Sequence, residues 1–195
     1  LPVVPANMET VIDLEVAKAL DDAGYFYVMH RFDDIFKTVQ YMYRNEFRCK
    51  SISVGVNQDT YDALDKILDT GYYIDIITVD VAHGHHIKAG NMVRYIKSKF
   101  PEATIIAGNV GTYEGFKFLD DAGANIVKVG IGSGVICTTR YKTGFGTPMF
   151  STIQKIVHKS NKAKIMADGG CKHFGDIAKA FAAGALSNVT VIVFA

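Results

Sequence analysis

The chain has 195 residues, of which 49% are hydrophobic and 21% are charged, and its formal net charge is +1. This composition predicts one domain over residues 1–195 with a sizeable core, and it excludes a chain that is disordered throughout. A near-neutral charge argues against nucleic-acid or membrane-surface binding, which needs a basic excess. No apolar run reaches the roughly 20 residues of a membrane-spanning helix.

The first residues lack the basic segment of a signal peptide. The cysteines (Cys49, Cys137 and Cys171) are odd in number without close pairing, so we expect free thiols in a reducing cytoplasm.

Eight short apolar segments, in chain order, predict strands. They cover residues 2–5, 25–29, 51–55, 74–80, 104–107, 126–130, 164–167 and 189–194. Continuous apolar runs of this length are typical of strands that are covered on both faces. Helical periodicity separates them, for example at Val11, Leu14, Ala17 and Leu20. Alternating strands and helices favour parallel pairing. The count therefore predicts an α/β fold, a (β/α)₈ TIM barrel, with an open doubly wound sheet as the alternative.

The chain ends on the eighth predicted strand, at Ala195. A complete barrel has an eighth helix that covers this strand. We therefore expect a barrel that is incomplete at both ends, without an N-terminal segment and without the eighth helix.

One local pattern recurs along the chain. Residues 20–24 and 119–123 are both Leu-Asp-Asp-Ala-Gly, and residues 68–71 and 181–184 are weaker copies that also end in glycine. Each copy predicts a helix that ends before a glycine of positive φ and is followed by a buried strand. The aspartate pairs in the two exact copies are expected to be solvated helix ends and not paired catalytic carboxylates.

A long insertion, residues 131–148, separates the sixth predicted strand from its helix. Functional sites of barrels lie on loops at the carboxyl ends of strands, and long loops in compact domains are usually functional. The glycines at 130, 132 and 134 allow the backbone to approach a ligand or ion closely. Cys137 follows them, and Arg140 is a nearby cation that would lower a thiol pKa. The alternative is a solvated glycine-rich turn with a half-buried cysteine.

The sequence G-I-G-S-G-x-x-C-T-T-R at residues 130–140, followed by K-T-G-F-G at 142–146, resembles the catalytic loop of the IMP dehydrogenase and GMP reductase family. Other segments agree in order: P-A-N-M-E-T at 5–10, V-D-V-A-H-G at 79–84, A-G-N-V at 107–110, V-K-V-G at 127–130 and A-D-G-G at 167–170. The resemblance runs over the whole chain. Residues 25–32 and 142–146 are most similar to the reductases of the family, in the form found in Gram-positive bacteria.

This resemblance implies a cysteine mechanism. Cys137 would attack C2 of GMP, ammonia would leave, and a hydride from NADPH would release IMP from the covalent thioimidate. Thr139 would assist the proton transfers of the deamination. Cytoplasmic location and a homotetramer are further implications.

The resemblance also implies the remaining site residues. The cofactor side would comprise Arg31, Asp80, Ala82, Ile131 and Gly132. The nucleotide ribose and phosphate would be bound by Asp168, Gly169 and Gly170. A monovalent cation, expected to be potassium, would be held by the carbonyls of Gly132, Gly134, Cys137 and Arg140.

Two departures from the family pattern qualify this expectation. Val191 and Ile192 stand where the family has small residues that let phosphate approach the backbone. The family's catalytic glutamate would fall beyond Ala195, so we expect the 195-residue chain itself to be a poor catalyst. The competing hypotheses are oxidation of IMP to XMP by an IMP dehydrogenase-type enzyme and a non-catalytic barrel remnant. The histidines at 83, 85 and 86 are interpreted as part of the barrel rim and not as a zinc site. Cys49 is interpreted as structural. Cys171 is interpreted as a small filler at the start of a helix, with a position near the nucleotide as the alternative.

Overall fold

The computed structural model describes residues 3–134, 137–159, 162–171 and 173–190. Within these ranges one sheet contains seven strands: β1 Val3–Pro5, β2 Ser51–Val54, β3 Ile76–Asp80, β4 Thr104–Val110, β5 Ile126–Val129, β6 Lys164–Asp168 and β7 Ser187–Thr190. All neighbours are parallel, in the order β1-β7-β6-β5-β4-β3-β2. Strands β2 to β7 therefore follow one another in chain order around the sheet, and β1 pairs with the last of them.

Helices alternate with these strands. They are α1 Leu14–Asp22, α2 Ile35–Arg44, α3 Gln58–Asp69, α4 Ile87–Lys99, α5 Tyr113–Ala122, α6 Thr138–Thr143, α7 Met149–Val157 and α8 Phe174–Ala182. Several begin at a side-chain cap, because a carboxylate or hydroxyl accepts a backbone N–H that has no partner inside the helix. Asp13 accepts from the N–H of Val16 at 2.8 Å, and Thr112 accepts from that of Gly115 at 3.1 Å. No helix in the described ranges is both long and apolar enough to cross a bilayer.

The predicted strand at residues 25–29 is wrong as a strand, although the segment occupies a barrel position. It is not part of the hydrogen-bonded ladder. Side chains fasten it to the region of β2 instead: the hydroxyl of Ser53 donates to the carbonyl of Met29, and that of Tyr27 donates to the carbonyl of Cys49. Tyr27 and Met29 are fully buried. The segment thus adds an eighth element beside β2, and the fold is the predicted α/β architecture of a (β/α)₈ barrel.

Two layers of apolar side chains hold this barrel together. Val4, Val28, Ile76, Ile106 and Met166 form one cluster inside the ring of strands. A larger cluster, which includes Ile77, Leu64 and Met92, lies between the strands and the helices. Successive residues of β3 thus enter different clusters, as expected when side chains alternate across a sheet. Both faces of the strands are covered, which accounts for their continuous apolar runs.

The glycines of the repeated pattern confirm the predicted helix ends. Gly24, Gly71, Gly123 and Gly184 have φ angles of 75°, 73°, 109° and 108°. Each follows a helix at a point where the chain must turn into the next segment, and this left-handed conformation carries no Cβ penalty for glycine.

In each aspartate pair of the repeat, the second residue is solvated as predicted and the first is buried, against the prediction. Asp22 and Asp121 are exposed and pair with lysines one turn earlier in their helices. Asp21 and Asp120, by contrast, are buried. Asp21 accepts from the backbone N–H groups of Arg48 and Cys49 at 2.7 and 2.9 Å, before β2, and Asp120 accepts from that of Ala163 at 2.8 Å, before β6. Each buried carboxylate therefore fixes the end of one helix to the start of a later strand.

The last predicted strand is described only in part. Strand β7 covers Ser187–Thr190 and pairs with both β1 and β6. The rest of the predicted segment, including Val191 and Ile192, lies outside the described residues.

Candidate active site

A buried polar network lies where β3, β5 and β6 reach their carboxyl ends. Lys128 on β5 is at its centre, and its side chain is 3% exposed. Its Nζ donates to Oδ1 of Asn7 at 2.7 Å, and it lies 3.1 Å from Oδ2 of Asp168 and 3.6 Å from Oδ1 of Asp80. Burial alone lowers the pKa of Lys128, but the two carboxylates outweigh it and the pKa is raised. The lysine is therefore a buried ammonium shared between two acidic side chains.

Hydrogen bonds connect this network to the glycine-rich loop. The amide nitrogen of Asn109 donates to Oδ2 of Asp168 at 2.6 Å and to the carbonyl of Gly130 at 2.9 Å. The hydroxyl of Ser133 donates to the backbone carbonyl of Asp168 at 2.9 Å. Asp168 is thus fixed at both its side chain and its main chain, and the loop that follows β5 is tied to the end of β6.

Close backbone approach explains the glycines in this region. A Cβ on Gly130 would lie 2.0 Å from the carbonyl oxygen of Asp168. Gly169 and Gly170 have φ angles of 74° and 77°, and a Cβ on either would lie within about 3.3 Å of Ser133. Larger residues would force the two loops apart. The predicted nucleotide-binding residues and the predicted catalytic loop are therefore in direct contact.

Cys137 follows this loop and precedes α6 as its N-cap residue. Its own N–H donates to the carbonyl of Gly134 at 3.2 Å. Partial burial raises the pKa of the Cys137 thiol, but hydrogen bonds to the sulfur from the Thr139 hydroxyl and from nearby backbone N–H groups outweigh this effect and lower it. Thiolate is the nucleophilic form of cysteine, and this environment favours that form at Cys137. Of the sequence-predicted catalytic residues, the structure thus brings Cys137 and Thr139 together.

The other two cysteines have the opposite environment. Burial and the nearby Asp75 raise the pKa of Cys49 to about 11, and burial together with Asp176 raises that of Cys171. Both lie in less favourable surroundings for a thiolate, which agrees with the prediction that they are structural.

A cleft of about 460 Å³ opens beside the predicted catalytic loop. It lies between Gly132 and Arg140 on one side and α8, with Asp176 and Lys179, on the other. Thr147, at the far end of the insertion, also lines the cleft, and its N–H donates to the carbonyl of Ile131 at 3.0 Å. Arg140 and Lys179 give the cleft two cationic side chains.

The predicted cofactor residues divide into two groups. Arg31 lies with its Nε 3.5 Å from Oδ2 of Asp80, and its side chain is 39% exposed. Ala82 is exposed close by along the chain. Ile131 and Gly132, by contrast, are buried within the catalytic loop. The accessible polar groups of the predicted cofactor site are therefore those of Arg31 and Asp80, beside the end of β3. The side chain of Ile131 is buried, and its carbonyl accepts the hydrogen bond from Thr147.

The carbonyls predicted to hold a monovalent cation lie in one stretch of backbone. Those of Gly134 and Arg140 each accept an N–H, from Cys137 and Gly144 respectively. Each carbonyl oxygen has a second lone pair that remains able to bind a cation, so these two hydrogen bonds do not prevent cation binding. Within the described ranges, no three His, Cys, Asp or Glu side chains are grouped as metal ligands. His83 packs edge-on against Phe145, in keeping with a rim position.

Lys128, Asn7 and Asn109 are site residues to which the sequence analysis assigned no role. Lys128 carried a signal, because a lysine inside the apolar strand Ile126–Val129 must be paired if both faces of the strand are covered. The asparagines offered only their positions at strand ends.

Comparison with known proteins identifies the group to which this architecture is similar. A family model described as IMP dehydrogenase / GMP reductase domain matches residues 1–195. The GMP reductase of Pediococcus pentosaceus is 46% identical over 191 residues, covering 95% of this chain and 58% of that protein. The GMP reductase of Leptothrix cholodnii is 46% identical over 198 residues, covering 100% of this chain and 60% of that protein. The GMP reductase of Staphylococcus aureus strain JH9 is 44% identical over 188 residues, covering 95% and 58%.

A solved structure agrees with the fold. The crystal structure of inosine 5′-monophosphate dehydrogenase from Legionella pneumophila superposes with a TM-score of 0.85 at 36% sequence identity. The match covers 98% of this chain and 58% of that chain. The chain thus spans about 60% of the length of the relatives that it matches.

Proposed function

We propose that this chain, which belongs to the IMP dehydrogenase / GMP reductase domain family, has the reaction of a GMP reductase, the NADPH-dependent reductive deamination of GMP to IMP and ammonia. The environment of Cys137 is the observation that carries the proposal. Cys137 is the N-cap residue of α6 and follows the glycine-rich loop that packs against the backbone of Asp168. The pKa of its thiol is lowered, while the thiol pKa values of Cys49 and Cys171 are raised. The relatives that are 44–46% identical are named GMP reductases, which supports the reductase over the dehydrogenase.

Cys137 is the proposed nucleophile of the covalent step. Its thiolate sulfur attacks C2 of the guanine, the bond from C2 to the exocyclic nitrogen breaks, and ammonia leaves. The Thr139 hydroxyl, which hydrogen-bonds the sulfur, would pass a proton to the departing nitrogen. A thioimidate on Cys137 remains. NADPH, when bound, would supply the hydride that reduces C2. The bond from C2 to the sulfur of Cys137 would then break, which restores the thiolate and releases IMP.

Binding of GMP is proposed for the end of β6. The carboxylate of Asp168 is 19% exposed and would accept hydrogen bonds from the ribose hydroxyls. Gly169 and Gly170 present backbone without side chains, which suits close approach of a phosphate. Contact between this segment and the glycine-rich loop would orient the base towards Cys137.

The dinucleotide is proposed to bind at the end of β3. Arg31 is exposed and held by Asp80, so its guanidinium is available for an anionic group. Asp80 and Ala82 would flank the nicotinamide, with Ile131 and Gly132 shaping the site from the loop beneath. Potassium is proposed for the carbonyls of Gly132, Gly134, Cys137 and Arg140, where it would hold the catalytic loop in shape. Replacement of potassium by a bulky organic cation should then depress the rate.

A cytoplasmic homotetramer completes the proposal. The described structure has three free cysteines, which suits a reducing compartment. The oligomeric state follows from the family resemblance, and light scattering of the purified protein would test it.

Paired assays test the reaction. A protein that contains this chain within a complete barrel is incubated with GMP and NADPH, and separately with IMP and NAD⁺, because the 195 residues alone are expected to be a poor catalyst. Absorbance of the reduced cofactor is followed, and the products are separated by chromatography. We expect GMP-dependent oxidation of NADPH with IMP and ammonia formed in equal amounts. Formation of XMP without GMP-dependent oxidation would identify a dehydrogenase, and the absence of both products in a folded protein that binds nucleotide would identify a non-catalytic barrel.

A further inference from the structure

The ammonium of Lys128 lies between two carboxylates that have different proposed roles. Asp168 is assigned to GMP and Asp80 to the dinucleotide. The Nζ atom is 3.1 Å from the former and 3.6 Å from the latter. Both carboxylates are about one fifth exposed, while the lysine side chain is 3% exposed. Lys128 is therefore nearly inaccessible, and we expect it to act on a bound nucleotide through these two carboxylates and not by direct contact.

Resting on the proposed function, we infer that Lys128 is a positioning residue that couples the two nucleotide sites. It holds Asp168 and Asp80 at a fixed separation, so that the GMP base and the nicotinamide are bound in register for hydride transfer. A change at one carboxylate should consequently alter binding of the nucleotide that contacts the other.

The hydrogen-bonding capacity of the lysine supports this role. An ammonium has three N–H donors, and three oxygens lie within 3.6 Å of Nζ, from Asn7, Asp168 and Asp80. The group is therefore held on three sides and is not free to follow one carboxylate. A buried cation with two anionic neighbours is also costly to remove, because two partly buried carboxylates then lie close together without compensation.

Each carboxylate is further held by a neighbour of its own. Oδ2 of Asp80 lies 3.5 Å from Nε of Arg31, and Oδ2 of Asp168 accepts from Asn109. These partners reach one carboxylate each, whereas Lys128 contacts both. The lysine is consequently the point at which the GMP side and the dinucleotide side are joined.

Substitution of the lysine tests the coupling. In Lys128→Met the chain volume is nearly kept and the charge is lost. Dissociation constants for GMP and for NADP⁺ are measured separately by calorimetry, with kcat from NADPH oxidation. We expect both affinities to fall by at least about tenfold and kcat to fall roughly 100-fold, the scale of loss when a reacting group is misplaced by about 1 Å. Lys128→Arg keeps the charge and should restore both affinities to within about tenfold of the original protein.

The matched control is Lys117→Met. Lys117 is an exposed lysine on α5 that pairs with Asp121, away from the site, and its replacement should leave both affinities and kcat unchanged. Loss of affinity for one nucleotide alone in Lys128→Met, or for neither, would overturn the inference.

A second variant keeps the test decisive if Lys128→Met does not fold. Asp80→Asn is nearly isosteric and lies at a partly exposed position. Without the Asp80 charge, the ammonium moves towards Asp168 and competes with the ribose hydroxyls, so GMP affinity should fall about fivefold, at the lower end of usual coupling between linked sites. Unchanged GMP affinity would overturn the coupling. Failure of the original protein to bind GMP would instead overturn the proposed function, so the two failures are distinguishable.

Discussion

Cys137 differs from the other two cysteines in the hydrogen bonds that its sulfur receives. The Thr139 hydroxyl and nearby N–H groups stabilise the thiolate and lower the pKa, against the raising effect of partial burial. Cys49 and Cys171 have raised pKa values, chiefly because they are buried. The thiol pKa of Cys137 is thus shifted in the opposite direction from those of the other two cysteines, and the difference arises from local hydrogen-bond donors and burial.

We predict that Cys137 is the first cysteine to be alkylated as pH rises. Iodoacetamide reacts with the thiolate, so the labelling midpoint of Cys137 should lie below the ordinary thiol pKa of 9.0, while Cys49, at about 11, should label only at higher pH. Thr139→Val removes a hydrogen bond to the thiolate and should move the Cys137 midpoint to higher pH. Mass spectrometry of each cysteine peptide gives the three profiles, with Cys49 and Cys171 as internal controls. An unshifted Cys137 midpoint in Thr139→Val would contradict the role of the hydroxyl.

We predict that Cys137→Ala abolishes turnover and keeps GMP binding. No covalent adduct can form without the thiol, so the rate of NADPH oxidation should fall on the order of 10⁴-fold or more. The affinity for GMP should change little, because the proposed ribose and phosphate contacts come from Asp168, Gly169 and Gly170. Cys171→Ala is the matched control and should remain active. Substantial turnover by Cys137→Ala would require another nucleophile.

At the scale of whole elements, the first aspartate of each exact repeat connects the end of a helix to the start of a later strand by hydrogen bonds. Asp21 binds the backbone before β2, and Asp120 binds the backbone before β6. Satisfying buried N–H groups in this way fixes where those strands begin. The second aspartate of each pair remains exposed and pairs within its helix.

The hydrogen bonds of Asp21 and Asp120 could not be predicted from the sequence. The repeated glycines predict the helix ends, because a C′ glycine acts within its own turn of the chain. The partners of Asp21 and Asp120 lie 27 to 43 residues away, so no local pattern separates them from their solvated neighbours. Lys128 was more predictable, since a charge inside an apolar strand requires a partner, but the identity of that partner depends on the register of three strands.

We predict that Asp120→Ala destabilises the fold and that Asp121→Ala does not. The first change leaves the buried N–H of Ala163 without its acceptor, which typically costs about 1–3 kcal/mol of unfolding free energy. The second removes an exposed pair with Lys117 and should cause no measurable loss. Urea denaturation of the two variants, followed by circular dichroism, gives the comparison. Equal stability of the Asp120→Ala and Asp121→Ala variants would show that the hydrogen bonds of Asp120 are not needed to hold β6.

At the scale of the whole molecule, the ring of strands depends on a segment that forms no ladder. Residues 25–29 lie beside β2, and Val28 enters the interior cluster together with Val4, Ile76 and Met166. The sequence predicted the apolar run, the barrel and the position of this segment in chain order. It did not predict that Ser53 and Tyr27 hydroxyls would take the place of backbone pairing, because those contacts depend on how the neighbouring strand is placed.

We predict that Tyr27→Phe weakens the attachment of residues 25–29 beside β2 and changes how the unfolding free energy depends on alkaline pH. At pH 7 the variant loses the hydrogen bond to the Cys49 carbonyl, worth about 1 kcal/mol. Burial, with Cys49 and nearby carboxylates, raises the pKa of Tyr27 far above its ordinary value of 10.0. Above about pH 10 the unfolded chain therefore releases this proton while the folded chain keeps it, so the contribution is complete below that pH and is lost as pH rises.

The alkaline arm of the stability curve separates this effect from a simple loss of packing. Between about pH 10 and 12 the unfolding free energy of the original protein should fall more steeply than that of Tyr27→Phe, by up to about 1.4 kcal/mol per pH unit for one proton. The measurement is urea denaturation at a series of pH values. Tyr25→Phe, two residues away on an exposed ring, is the control at pH 7 and should match the original protein. If the curves of Tyr27→Phe and the original protein run parallel above pH 10, Tyr27 is not held protonated at this attachment, and the closure of the barrel beside β2 must be attributed to Ser53 and to apolar packing.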